Sequence, residues 1–186
     1  MSHNFHLNGK KILITGASSG IGKSTAIMAA DLGADLIITG RDPEKLNMTL
    51  SMLKEGDHQV LIADLTKADD IEQIVSKTKQ LDGIVHSAGA TDYMPAHFIN
   101  EKNIDQLANI NYKAPVILTS RLIRKKKLNQ NGAVVFISSI ATEHPYHGGS
   151  LYVSSKSALE GYAKVLALEL ASRKIRVNTK IKFSGG

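Results

Sequence analysis

The 186-residue chain contains no cysteine, which removes disulfide frameworks, thiolate metal sites and cysteine nucleophiles from consideration. It also lacks any apolar run near the roughly 18 to 20 residues that a membrane-spanning helix requires. The longest candidates, such as residues 133–137, are only strand-sized. The opening MSHNFHLNGKK has no apolar core and does not read as a signal peptide. These features make a cytoplasmic enzyme with no membrane association the expectation. Four prolines, 15 glycines, 42% hydrophobic and 22% charged residues exclude disordered and collagen-like chains and fit one compact domain over residues 1–186. The 23 Lys and Arg against 17 Asp and Glu leave a net charge of +6. That surplus suits an anionic ligand, and for a domain of this size it does not call for nucleic acid.

Short apolar β-type runs alternate with longer amphipathic stretches, without repeats or linker-like segments. Residues 11–15, 35–39, 59–63, 83–86, 133–138 and 175–179 read as strands rich in Ile, Leu or Val. Strands apolar on both faces and separated by helices imply a doubly wound parallel α/β sheet of about six strands in three layers. Thr66 with Asp69 and Asp70 reads as a helix start, followed by the stripe Ile71, Ile74, Val75, Thr78. A second helix, over 104–127, carries the stripe Ile104, Leu107, Ala108, Asn111, Pro115, Leu118, Leu122. Pro115 has no N–H for the carbonyl of Asn111, so a kink is expected there, with that carbonyl and the Asn111 amide each needing a partner or a water. A satisfied helix defect explains this as well as function does.

The strongest local signal is Thr15-Gly16-Ala17-Ser18-Ser19-Gly20-Ile21-Gly22, after the first strand and opening a helix. Glycines there let backbone N–H groups approach a pyrophosphate at the positive end of the helix. A turn that merely packs strand on helix is the bland alternative. Gly22-Lys23-Ser24, with Val60 to Asp64 as a strand ending in a metal-binding Asp, resembles parts of an NTPase or kinase P-loop. That pattern needs Gly at position 17, where this chain has Ala.

Tyr152 and Lys156 are four residues apart, hence on one face of a helix over 152–172, whose stripe continues through Leu159, Tyr162, Ala163, Leu166 and Leu170. Such a pair is usually a surface feature, but here it follows Ser138-Ser139 at the carboxyl end of a strand, where doubly wound sheets bind ligands. His144-Pro145-Tyr146-His147 invites a metal reading but lacks a third ligand. Arg124-Lys125-Lys126-Lys127 reads as a solvated helix end favoured by the macrodipole.

TGASSGIG at 15–22, Asn111, Ser139 and Tyr152-Val153-Ser154-Ser155-Lys156 together resemble the short-chain dehydrogenase/reductase family over nearly the whole chain. The resemblance implies a Rossmann fold and, as substrate, a small molecule carrying a carbonyl or alcohol. It implies Tyr152 as general acid/base, Ser139 at the substrate oxygen, Lys156 on the nicotinamide ribose and supporting the tyrosinate, and Asn111 holding a relay water. Gly16, Ser18, Ser19, Gly20, Ile21 and Gly22 would bind the cofactor phosphates, Asp64 and Leu65 would lie along the adenine, and Ala88 and Gly89 would line the nicotinamide end. His86-Ser87-Ala88-Gly89 departs from the usual Asn-Asn-Ala-Gly, which puts side-chain contacts in question more than binding. No carboxylate ends the second strand, and Arg41 follows Thr39-Gly40, so NADP(H) is favoured over NAD, with Asp42 as the counter-indication. A 3-oxoacyl-thioester reductase-like activity and a homodimer built on the two long helices are implied, with a catalytically weak nucleotide-binding scaffold as the competing class. After Asn178 the residues lack the family's Pro-Gly segment, substrate loop and final elements. This implies a shortened member that binds NADPH but turns over slowly, its last strand edge blunted by Lys180 and Lys182.

Overall fold

Six parallel strands run side by side in the order β3-β2-β1-β4-β5-β6 in a computed structural model that describes residues 5–181. The strands are β1 (Lys11–Thr15), β2 (Asp35–Gly40), β3 (Gln59–Ile62), β4 (Leu81–His86), β5 (Leu128–Ile137) and β6 (Arg176–Lys180). The helices are α1 (Gly20–Asp31), α2 (Pro43–Leu50), α3 (Ala68–Lys77), α4 (Glu101–Ala108), α5 (Ala114–Arg124) and α6 (Ser150–Glu169). The expected doubly wound sheet is therefore present. Alternation along each strand divides the core: Leu13 and Ile37 pack with α3, α5 and α6, while Ile14, Leu36 and Ile38 pack with α1 and α2 on the other face. Strand order reverses between β1 and β4, which splays the loops after Thr15 and His86 apart at the carboxyl edge.

Several boundaries differ from the sequence reading for identifiable reasons. The helix expected over 104–127 is interrupted by a π-turn at Asn109–Lys113, where the N–H of Ala114 bonds the Asn109 carbonyl. Pro115, lacking an N–H, sits in the first turn of α5, so the ladder widens instead of merely kinking. The same helix stops at Arg124 because Lys126 turns left-handed at φ 55° and the Lys127 N–H closes on the Leu122 carbonyl at 2.8 Å. Ile104, placed in the apolar stripe, is 46% exposed. Thr66 does not cap α3; Lys67 occupies that position without a side-chain bond, and Thr66 bonds Asp64 instead. Thr78, the last member of that stripe, is buried but already extended beyond the helix. β5 starts five residues earlier than expected, through a bulge in which Asn131 adopts φ 61°. Lys180 ends β6 and is exposed, whereas Lys182 lies outside the described residues.

Candidate active site

The turn after β1 can form only with glycine at two of its positions. A Cβ on Gly22 would lie 2.2 Å from the Gly16 carbonyl oxygen, and one on Gly16 would lie 2.7 Å from the backbone nitrogen of Ala88. Gly16 and Gly20 also hold φ of +67° and +53°, the left-handed region that favours glycine. Thr15, unnoticed in the sequence, ties this turn to the next loop: its buried hydroxyl accepts from the N–H groups of Ser87 and Ala88, both at 3.1 Å. The Ser19 side chain makes no capping bond and the first turn of α1 carries no acidic residue. The start of α1 thus keeps the positive potential that an anion requires.

This turn lines one end of a cavity of about 670 Å³ together with Gly40, Arg41, Leu65, Ala88 and Gly89. Ser18, Ser19, Gly20 and Ile21 face that space, while Gly22 is buried beneath it. Arg41 is exposed at the end of β2 and forms no ion pair among the described residues. Asp42, the counter-indication, is occupied elsewhere. It caps α2 by accepting from the Lys45 N–H at 3.1 Å and pairs with the Lys45 ammonium at 3.3 Å, and the Lys45 N–H bond above all holds its carboxyl below the usual value. Asp64 does not line the cavity, its carboxylate instead accepting from the Thr66 hydroxyl at 2.7 Å and N–H at 3.0 Å. Burial opposes ionisation of Asp64, but the bonds from Thr66 outweigh it and its carboxyl lies below the usual range.

A second cavity, of about 700 Å³, shares Ile21, Ser87, Gly89 and Ala90 with the first, so the two are continuous halves of one cleft. Its walls bring Ser139, Tyr152 and Lys156 together. Lys156 is 6% exposed, its Nζ 5.9 Å from the centre of the Tyr152 ring and donating to the Ile137 carbonyl at 2.8 Å. Burial with no carboxylate partner among the described residues lowers its pKa to about 8. Ser139 Oγ accepts from the Ala141 N–H at 3.2 Å, which leaves its own proton free to donate.

Asn111 is buried beside this group, but its side chain needs no water. Oδ1 accepts from the Ala90 N–H at 2.8 Å, and Nδ2 donates to the Ala90 carbonyl at 2.9 Å and the Ser155 hydroxyl at 3.0 Å. The expected relay water cannot therefore be held by an unsatisfied Asn111 amide. His86 is buried against Phe136, with ring centres 4.8 Å apart, and its Nε2 lies 2.8 Å from the Thr119 hydroxyl. It faces the core and does not line the cleft. Among the loop histidines, His144 lines the Tyr152 half of the cleft while His147 Nδ1 bonds the Tyr93 hydroxyl at 3.1 Å. No group of three or more His, Asp or Glu converges among the described residues. No described helix is long and apolar enough to cross a membrane.

Comparison with known proteins matches the geometry. The 3-oxoacyl-[acyl-carrier-protein] reductase FabG of Rickettsia felis is 37% identical over 172 residues, covering 92% of this chain and 71% of that protein. An uncharacterized oxidoreductase of Thermotoga maritima is 35% identical, over 93% of this chain and 70% of its own. A solved dehydrogenase/reductase from Sinorhizobium meliloti superposes with a TM-score of 0.89 at 32% identity, covering 94% of this chain and 71% of that one. The family model described as short chain dehydrogenase matches residues 10–181, from the first strand past the last described one. The chain therefore belongs to the short-chain dehydrogenase family.

Proposed function

We propose that this chain is an NADP(H)-dependent oxidoreductase that interconverts a ketone and a secondary alcohol, with 3-oxoacyl thioesters as the first substrate class. The observation that carries the reading is the continuous cleft, with a glycine turn and Arg41 at one end and Ser139, Tyr152 and Lys156 at the other. The names of the Rickettsia relatives support the thioester choice.

The residues present fit a dinucleotide. Gly16 and Gly22 leave backbone where a Cβ would clash, the start of α1 faces the pyrophosphate, and Arg41, free of ion pairs among the described residues, faces the 2′-phosphate. Bound NADPH supplies the hydride. Ser139 donates to the substrate oxygen and holds it next to the Tyr152 hydroxyl, which delivers the proton in reduction and removes it in oxidation. Lys156 places positive charge beside the tyrosine ring and stabilises the tyrosinate that proton transfer leaves. Asn111 acts through structure, by fixing Ala90 in the wall shared by both halves of the cleft.

We further infer a homodimer that uses α6, whose Val165 and Leu168 are 55% and 78% exposed and three residues apart on one face. The function is tested by following NADPH and NADH oxidation against a panel of ketones and 3-oxoacyl thioesters, with the parent and Arg41→Ala. The reading expects NADPH preference in the parent. It expects about a ten- to hundredfold weaker KM for NADPH alone in the variant, the value of one charge-assisted contact. Equal losses for both cofactors would remove the NADP assignment, and no turnover of any ketone would remove the activity.

A further inference from the structure

Glu160 lies one turn beyond Lys156 on α6, so Tyr152, Lys156 and Glu160 follow one another at intervals of four on a single helix face. Each reaches the cleft side differently. Lys156 Nζ donates to the Ile137 carbonyl, while Glu160 Oε1 accepts from the Ser138 hydroxyl and, at 3.1 Å, from the Thr142 hydroxyl. One helix thus grips the segment around Ser139 at three points, two before it and one after. Ser138 is 2% exposed, and Ser139 itself opens the short 3₁₀ turn Ile140–Thr142. Glu160 forms no ion pair among the described residues. Its partners there are two hydroxyls, and an ionised carboxylate, being acceptor only, fixes both as donors.

We propose that Glu160 is a positioning residue that sets the Ser139 hydroxyl relative to Tyr152 by tying residues 138–142 to the helix that carries the tyrosine. The proposal rests on the reading above, in which Ser139 holds the substrate oxygen. A carboxylate that did no more than stabilise the fold would not need to meet both flanks of this one serine. Displacing a hydrogen-bond donor by about 1 Å costs a reaction up to about a hundredfold in rate, so a tether of this kind acts on turnover more than on cofactor binding.

The test is a double-mutant cycle on the full chain with Glu160→Ala, Ser139→Ala and both together, alongside Glu160→Gln. The readouts are NADPH-dependent ketone reduction, NADPH affinity and, independently of activity, amide hydrogen exchange of the free protein. Glu160→Ala is expected to lower kcat about tenfold with NADPH affinity changed less than about twofold, and to add less than about twofold in the Ser139→Ala background. Glu160→Gln, which keeps an acceptor oxygen, restores most of the turnover. Exchange accelerates at residues 138–142 in Glu160→Ala and not in β1. If Glu160→Ala does not fold, Thr142→Val takes its place in the same cycle, with an expected loss of about threefold. Full activity in Ser139→Ala would overturn the functional reading of the site. An impaired Ser139→Ala in which Glu160→Ala multiplies the loss undiminished, or unchanged exchange at 138–142, would overturn the positioning role and leave that reading standing.

Discussion

Asn111 binds both backbone polar groups of Ala90 at once, accepting from its N–H at 2.8 Å and donating to its carbonyl at 2.9 Å. Ala90 lies in the strip of wall common to the two halves of the cleft, so a helix interruption set by Pro115 is coupled to the ligand site through one amide. Asn111→Ala removes three bonds, including that to Ser155, and is expected to cost about 1 to 3 kcal/mol in urea unfolding and to weaken NADPH binding. A loss below about 0.5 kcal/mol, the range of an ordinary surface change, would show that the loop holds itself.

Gly20 and Gly22 are two residues apart and should respond differently to alanine. A Cβ on Gly20 meets open space, so Gly20→Ala pays only for the left-handed backbone, about 1 to 2 kcal/mol. At Gly22 the Cβ would stand 2.2 Å from the Gly16 carbonyl oxygen, and the turn must open to admit it. Gly22→Ala is expected to cost about 3 kcal/mol or more and to abolish NADPH binding, measured by denaturation and by cofactor fluorescence. Equal costs at the two positions would mean that the turn tolerates expansion.

How much of this was legible beforehand follows from the range over which each interaction acts. β2 was found almost to the residue because Leu36, Ile37 and Ile38 are apolar on both faces, a property of the strand itself. The start of β5 was not, because Asn129, Gln130, Asn131 and Gly132 are polar or flexible and join the strand through a bulge against β4. Pro115 marked the fault in the long helix, but its resolution as a π-turn depends on what Asn111 meets 21 and 44 residues away. Tyr152 and Lys156 were readable from their spacing. Glu160 carried a weaker signal, a charge beside Leu159 and Ala163 on a buried stripe, and only the fold brings it to Ser138 and Thr142.

His86 provides a pH test that is independent of ligand. Burial lowers its pKa from 6.5 to about 3, so near neutral pH it is uncharged in the fold. Between about pH 6.5 and 3 the unfolded chain binds a proton that the folded chain refuses, and stability therefore falls as pH falls through that window. From pH 7 to pH 5 this one group should remove about 2 kcal/mol. His86→Asn keeps a hydrogen-bonding side chain beside Thr119 without titrating, and its urea stability should fall less over the same interval, whatever its absolute value at pH 7. The same slope in both proteins would indicate that the imidazole is accessible to protons in the native state.

The proton-donor role of Tyr152 is the central claim, and the comparison of Tyr152→Phe with the parent tests it most directly. Phenylalanine keeps the ring that lies 5.9 Å from the Lys156 ammonium and removes only the hydroxyl. The measurement is single-turnover NADPH oxidation on the best ketone of the panel, paired with NADPH titration of both proteins. Loss of a positioned general acid predicts a fall of about 10² to 10⁴ in rate with NADPH affinity unchanged within about threefold. Retention of more than about half the parent rate would contradict the account, since general acid–base catalysis by this residue leaves no such margin.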